Sequence, residues 1–183
     1  MKESNISCTL CIVGAGYAGI SALHAAKSYL KPEDKVIIID EKEGFGGQWL
    51  KQYGFVRLHQ PYRHFTAGNQ SWKLKKKRDY LASKDEVISH LNDIAEDCSK
   101  DLNINALWRH RFLSYSSDHS KVEILAESLE DPNKKVSIRA EKLIHSAGFD
   151  IKTLNPLKIS SKRVHSISVT DKKIISGQLQ KTV

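Results

Sequence analysis

The stretch from Thr9 to Ala26, TLCIVGAGYAGISALHAA, constrains the fold more than any other part of the chain. It holds three glycines in the pattern G-x-G-x-x-G, at Gly14, Gly16 and Gly19. The apolar run before the first glycine predicts a buried parallel strand, and the Ala- and Leu-rich run after it predicts a helix. A second apolar run, Lys35–Asp40, completes a β-α-β unit. In this context the glycine pattern indicates dinucleotide binding, whereas alone it would be weak evidence.

Each glycine of such a unit has a separate predicted role. Gly14 makes the tight turn, Gly16 lets the backbone approach a pyrophosphate, and Gly19 lets the helix pack against the strand. The pyrophosphate would lie at the helix N-terminus, where unpaired N–H groups and the helix dipole favour an anion. Asp40, at the end of the second strand, can accept both hydroxyls of an unphosphorylated ribose and would repel a 2′-phosphate. We therefore expect the site to hold FAD or NAD rather than NADP.

The remainder of the chain alternates between irregular and periodic segments. Residues 41–80 show little periodicity, and a connection of this length usually carries function. A capping-box pattern at Ser83 and Glu86 predicts the start of a helix. Its apolar face would consist of Val87, Leu91, Ile94 and Cys98.

From Asn103 onward the pattern changes to strands. The segments INALW, RFLSYSS, KVEILAES and KVSIRA, with turns between them, predict a small antiparallel meander at about residues 103–140. The segment EKLIHSAG predicts a further buried strand ending at Gly148. The fold class is therefore predicted as α/β, a parallel sheet flanked by helices with a small inserted antiparallel β-meander.

Length and composition restrict the functional classes. The 183 residues suffice for one domain. No apolar run approaches the roughly 20 residues of a membrane span, and the N-terminus lacks the layout of a signal peptide. We therefore expect a cytoplasmic protein that makes no membrane contact.

The net charge of +8 owes much to the basic cluster Lys73–Arg78. A solvated loop is the favoured interpretation, and we do not expect nucleic-acid binding because no stacking aromatics alternate with these charges. A patch that attracts anionic dinucleotides remains an alternative.

Two of the three cysteines, Cys8 and Cys11, form a C-x-x-C pattern. The pair falls within the first predicted strand, where residues three apart point to opposite faces. We therefore expect buried strand cysteines and not a redox pair.

Five residues separate Asp40 from a second glycine pair in the sequence GGQW, Gly46–Trp49. This arrangement after a G-x-G-x-x-G unit resembles the FAD-binding start of the flavin-containing and Baeyer–Villiger monooxygenases. The segment RLHQPYRHF, Arg57–Phe65, occupies the place where those proteins bring a loop near the flavin. The segment SAGFD, Ser146–Asp150, is similar to their A-T-G-[FY]-D strand end. The resemblance extends over about residues 8–170.

The resemblance implies a Rossmann-like FAD/NAD(P)-binding domain, FAD as cofactor, and NAD(P)H-linked oxidation of a small-molecule substrate in a full-length form. It implies no metal and names no catalytic residue. A backbone group near Phe112 would touch the adenine. The implied cofactor-binding residues are Gly14, Gly16, Tyr17, Ala18, Gly19, Asp40, Glu41, Gly46, Gly47, Gln48, Trp49, His59, Gln60, Phe112, Ala147 and Gly148.

The sequence departs from the family near its end. The family's linker pattern F-x-G-x-x-x-H-x-x-x-[YFW] corresponds to Ile159–Val169, which keeps His165 but not the Phe, the Gly or the final aromatic. We therefore divide the chain into an FAD-binding domain, residues 1–155, and a linker toward an absent NADPH-binding domain, residues 156–183. NADPH is accordingly expected in a full-length relative and not in this chain. A sheet left open on one side would also allow self-association.

Two alternatives to an FAD-dependent monooxygenase remain. One is a truncated or decayed, non-catalytic FAD-binding module, so whether the chain is an enzyme stays open. The other is a short-chain NAD dehydrogenase, since Tyr80 and Lys84 have the Y-x-x-x-K spacing of that class. We disfavour it because the predicted helix begins at Ser83, which leaves Tyr80 outside.

Overall fold

The computed structural model describes residues 3–118 and 120–148, together with Ser160. The predictions for the linker, including His165, and for Phe149 and Asp150 lie outside these residues. The strands are β1 Glu3–Val13, β2 Lys35–Asp40, β3 Asn103–Trp108, β4 His110–Ser117, β5 Val122–Ser128 and β6 Lys135–His145. The α-helices are α1 Tyr17–Ala26 and α2 Lys84–Asp101, and short 3-10 helices occupy Gly47–Lys51 and Tyr62–His64.

The described strands form one mixed sheet with the order β3-β2-β1-β6-β5-β4. The first four of these are parallel to one another. The last two continue the sheet in antiparallel fashion. The predicted α/β, Rossmann-like class with a small antiparallel portion is therefore confirmed.

The predicted membership of the meander is wrong at its first strand. β3 pairs in parallel with β2 along its whole length, from Asn103 opposite Lys35 to Trp108 opposite Asp40. The physical reason is the connection: a strand that follows a crossover helix, here α2, joins its neighbour in parallel. The antiparallel part therefore begins only at His110.

The two last predicted strands are in fact one. β6 runs without a break from Lys135 to His145, with its first half between β5 and β1 and its second half beside β1. A single strand thus leads from the antiparallel part of the sheet to the glycine turn that follows β1.

One core lies between the helices and the sheet. It contains Leu10 and Ile12 of β1, Leu23 of α1, and Leu91 and Ile94 of α2. The predicted capping box is confirmed, because the Ser83 hydroxyl accepts from the Glu86 N–H at 3.3 Å and the Glu86 carboxylate accepts from the Ser83 N–H at 2.8 Å. The predicted apolar face of α2 is likewise buried.

A second core lies on the opposite face of the sheet, where β4 and β5 curl over the parallel strands. Alternate residues of the central strands, including Val13 and Ile39, meet Ile124 and Ile138 there. This arrangement leaves the antiparallel strands covering one face and the helices covering the other.

The cysteines Cys8 and Cys11 are buried and free, as predicted. The predicted divergence of their side chains is wrong, since both pack into this second core. The pairing of β1 with β6 is interrupted at Thr9 and Glu141. The alternation of side chains changes at this interruption, so Cys8 before it and Cys11 after it lie on the same face of the sheet. Burial raises the pKa of Cys8 to about 11 and of Cys11 to about 12, so both remain unreactive thiols.

Stability should depend on pH through His90, which is buried on α2 and stacks on Trp72 at a ring distance of 3.9 Å. Its Nε2 atom has no hydrogen-bond partner among the described residues, and burial lowers its pKa to about 4 from 6.5, against the attraction of Asp93. The unfolded chain therefore binds a proton first as the pH falls. We expect the free energy of unfolding to drop by about 2–3 kcal/mol between pH 6.5 and pH 4.

Urea unfolding followed by tryptophan fluorescence at several pH values checks this prediction. The matched variant His90→Phe keeps a flat ring against Trp72 but cannot titrate. Its stability should vary less over the same range, and an identical pH dependence in both proteins would contradict the assignment to His90.

Candidate dinucleotide site

Glycine is required in the turn after β1 and again in the first turn of α1. Gly14 has a φ of +100°, and a Cβ added there would lie 2.5 Å from the carbonyl oxygen of Ser146. A Cβ added at Gly19 would overlap the carbonyl oxygen of Gly14. Gly14 thus lies in the tight turn where the sequence predicts it, while Gly19 brings the helix against the backbone of that turn, where helix-to-strand packing was predicted.

The two glycine motifs touch at Gly16 and Gly47. A Cβ added at Gly47, whose φ is +55°, would lie 2.6 Å from the Cα of Gly16. The Gly46 N–H donates to the carbonyl oxygen of Ala15 at 3.0 Å and holds the segments together. Two stretches of bare backbone therefore meet at the start of α1, where a side chain on either would fill the space.

The N-terminus of α1 carries free hydrogen-bond donors. Within the described part of the chain, the backbone N–H groups of Gly16, Tyr17, Ala18 and Gly19 have no partner, and no side chain caps the helix. Its first turn contains no acidic residue. Converging N–H groups and the positive end of the helix dipole suit an anion such as a pyrophosphate.

Asp40 is held in place by the backbone. Its Oδ2 accepts from the Ala15 N–H at 2.7 Å and its Oδ1 accepts from the Lys42 N–H at 2.8 Å. The residue is only 8% exposed. Each carboxylate oxygen can accept a second hydrogen bond, so Asp40 fits a ribose hydroxyl while also fixing both glycine-bearing loops.

Glu41, the next residue, is exposed and points elsewhere. Its carboxylate accepts from the Arg111 side chain at 3.0 Å, which ties the loop after β2 to β4. The structure therefore gives these two neighbouring acids different surroundings.

Ser146 joins the site although sequence reasoning did not place it among the cofactor-binding residues. Its N–H and its hydroxyl both donate to the carbonyl oxygen of Val13 at 2.8 Å. The hydroxyl also lies 3.2 Å from the carbonyl oxygen of Gly14. The predicted residues Ala147 and Gly148 follow directly and are exposed beside the turn. The available signal was its place at the start of the segment SAGFD, which resembles the family's strand end but gives no separate role to the hydroxyl.

Tyr17 attaches the irregular segment to the start of α1. Its hydroxyl donates to the carbonyl oxygen of Thr66 at 2.6 Å, and its ring lies 4.8 Å from that of Phe65. The ring of Trp49 meets Phe65 edge-on at 6.0 Å, while Gln48 is exposed. Tyr17, Phe65 and Trp49 thus form an aromatic wall beside the start of α1.

The other predicted residues are placed less directly. Phe112 packs edge-on against His145, the last residue of β6, at 4.9 Å. For His59 and Gln60, no hydrogen bond or ring contact in the described residues joins them to the glycine turn. Their role at the site remains a prediction from the resemblance.

The described residues contain neither a candidate metal site nor a candidate membrane span. No group of three or more His, Cys, Asp or Glu side chains there could hold a metal ion. Neither helix of that part is long and apolar enough to cross a membrane.

The fold and the sequence are similar to those of known flavoproteins. No family model matches the chain. A probable FAD-binding monooxygenase AlmA from Acinetobacter sp is 36% identical over 127 residues, which are 68% of this chain and 24% of that protein. The chain thus spans about a quarter of the length of this curated relative.

Solved structures agree at the level of the fold. A polycyclic ketone monooxygenase from Thermothelomyces thermophila matches with a TM-score of 0.66 and 18% identity, over 81% of this chain and 24% of that one. A bacillithiol disulfide reductase from Bacillus cereus matches with a TM-score of 0.61 and 13% identity, over 78% and 40% of the two chains. The predicted resemblance to the FAD-binding part of flavin monooxygenases is therefore confirmed.

Proposed function

We propose that this chain binds FAD and serves as the FAD-binding part of a monooxygenase-like oxidoreductase. The observation that carries the proposal is the junction of the two glycine motifs, where free N–H groups at the start of α1 lie beside the Gly16–Gly47 contact and Asp40. The FAD-binding monooxygenase relative supports FAD over NAD.

Each group of the site has a defined task in this proposal. The N–H groups of residues 16–19 hold the pyrophosphate, and Asp40 accepts a hydroxyl of the adenosine ribose while bracing the turn. The aromatic wall of Tyr17, Trp49 and Phe65 excludes water from the space beside the glycines. FAD, when bound, supplies the oxidation and reduction chemistry.

The activity of the whole protein follows by analogy. We propose an NAD(P)H-linked oxidation of a small molecule in the cytoplasm, with the nicotinamide cofactor bound outside the described residues. A non-catalytic FAD-binding module is the alternative, and both share the glycine-lined site.

The proposal predicts that the purified chain binds FAD in an equimolar complex. Added FAD should remain with the protein through gel filtration, give it a visible flavin spectrum and lose fluorescence on binding. NADP should not compete, because the Asp40 carboxylate would repel a 2′-phosphate. A colourless protein that FAD cannot titrate would refute the proposal.

A second measurement on the same sample tests whether this chain by itself uses NADPH. NADPH is added to the FAD complex without oxygen, and the flavin absorption is followed. An unchanged spectrum is expected if the nicotinamide cofactor binds outside the described residues, and bleaching would contradict that placement and exclude a non-catalytic module.

A further inference from the structure

A row of aromatic side chains leads from the glycine-lined site toward the surface. The ring centroids are separated by 6.0 Å between Trp49 and Phe65, 6.5 Å between Phe65 and Trp72, 5.4 Å between Trp72 and Tyr62, and 6.3 Å between Tyr62 and Tyr80. We call these five residues the aromatic row. Because Trp49 lies two residues after Gly47, one end of the row is at the glycine site.

The other end of the row has a proton acceptor. The Tyr80 hydroxyl donates to the Glu86 carboxylate, with oxygen distances of 3.0 and 3.2 Å. Tyr80 lines a shallow surface depression together with Arg57 and Lys76, whose charged groups lie over its ring. This end is therefore close to solvent and in contact with a base.

Glu86 is ionised at neutral pH. Burial pushes the pKa of Glu86 up, but hydrogen bonds from the Ser83 N–H and the Tyr80 hydroxyl outweigh it and hold the pKa below its ordinary value. The carboxylate can thus take a proton from Tyr80 at physiological pH.

Among the described residues, no side-chain base contacts the Tyr62 hydroxyl or the Trp72 indole N–H. The Tyr62 hydroxyl lies 3.1 Å from the carbonyl oxygens of both Leu74 and Lys76, and the Trp72 indole N–H donates to the carbonyl oxygen of Phe65 at 2.7 Å. Backbone carbonyls do not take up protons at neutral pH. When Trp72 loses an electron, it therefore keeps its indole proton. Tyr80 can lose an electron and a proton together, because its hydroxyl donates to the Glu86 carboxylate.

We propose that the outer part of the aromatic row carries single electrons from the surface to Trp72, with Tyr80 as the terminal electron donor and Glu86 as the acceptor of its proton. The species that starts the transfer is an oxidising radical, which takes one electron from Trp72, is itself reduced to its anion and leaves an indole radical cation. The electron lost is replaced from Tyr80 through Tyr62. The O–H bond of Tyr80 breaks, its proton goes to Glu86, and the products are neutral Trp72, a tyrosyl radical and protonated Glu86.

This function is independent of FAD binding. The transfer moves an oxidising equivalent from the half-buried Trp72 to Tyr80 beside the surface depression. Its test therefore needs no flavin, and failure of either proposal leaves the other standing.

Pulse radiolysis of the flavin-free chain tests the proposal, with azide radicals as the one-electron oxidant of tryptophan. The indole radical absorption should convert to tyrosyl radical absorption at a rate that does not depend on protein concentration. Tyr80→Phe keeps the ring but should remove most of the tyrosyl signal. Tyr29→Phe, at a residue 85% exposed and outside the row, is the matched control and should behave as the wild type.

The proton acceptor is tested by Glu86→Gln, which retains a capping-box residue at this helix position. The conversion rate should fall on the order of a hundredfold, the lower range of what a positioned base contributes to proton transfer. In the wild type, the rate should also fall at acidic pH as Glu86 becomes protonated, a readout that needs no variant.

Three outcomes would overturn the proposal. They are a conversion rate that scales with protein concentration, an undiminished tyrosyl signal in Tyr80→Phe, and a rate unchanged in Glu86→Gln. Any of these results would leave packing in the core as the role of the aromatic row.

Discussion

Replacing Gly47 by alanine should lower the affinity for FAD by about 10- to 100-fold. The new Cβ would lie 2.6 Å from the Cα of Gly16, and the φ of +55° disfavours an L-residue with a side chain. The free protein can relieve this strain by moving the loop away from α1. Binding must restore the close approach, so backbone strain of about 1–3 kcal/mol appears as lost affinity, at 1.4 kcal/mol per tenfold.

Flavin fluorescence titration of the variant measures this effect. Gly44→Ala is the matched control, since it lies in the same loop, has no atom within 4 Å of an added Cβ and has no positive φ. Circular dichroism verifies that both variants are folded. If Gly47→Ala bound FAD as tightly as Gly44→Ala, the contact between the two glycine motifs would not belong to the site.

Replacing Asp40 should affect both stability and binding. Asp40→Ala removes the acceptor for two backbone N–H groups, of Ala15 and Lys42. A buried donor left without a partner costs about 1–3 kcal/mol, so we expect the free energy of unfolding to fall by about 3 kcal/mol. Urea unfolding measures the loss, and Glu43→Gln, at an exposed carboxylate of the same loop, should change it little.

Asp40→Asn separates the ribose role from this bracing role. The amide keeps one acceptor oxygen and so one of the two backbone contacts, while its NH2 group faces the other backbone N–H. It also loses the charge-assisted acceptance of ribose hydroxyls, an effect that only a ligand with an adenosine ribose can report. Affinity for FAD should therefore fall more than affinity for FMN, which lacks the adenosine ribose. An equal change for both flavins would show that Asp40 acts only through the turn.

Local sequence patterns predicted most of the elements correctly. The apolar run before Gly14 and the capping box at Ser83 depend on interactions between residues that are near in sequence. The glycine positions were also predictable, because a tight turn and a close contact leave no room for a Cβ.

Sheet partners were predicted less well. β3 has the strand pattern that a meander would have, and only its pairing with β2 shows that it belongs to the parallel part. The face of the sheet on which Cys8 and Cys11 lie depends on the interruption of the β1–β6 pairing at Thr9, which no local sequence pattern reveals. A shift of one residue in the alternation moves every later side chain of the strand to the opposite face of the sheet. A single missed interruption therefore assigns those side chains to the wrong face.

The sequence by itself determined the β-α-β unit, the glycine turn at its centre and the acid that follows it, because each depends on backbone geometry within a few residues. Only the tertiary structure decided that Gly47 touches Gly16, that Ser146 closes the turn from more than 130 positions away, and that aromatic side chains of an irregular segment form a row beside it. These contacts depend on strand register and on the path of a forty-residue connection. Both are set by the packing of the whole chain and not by any local preference.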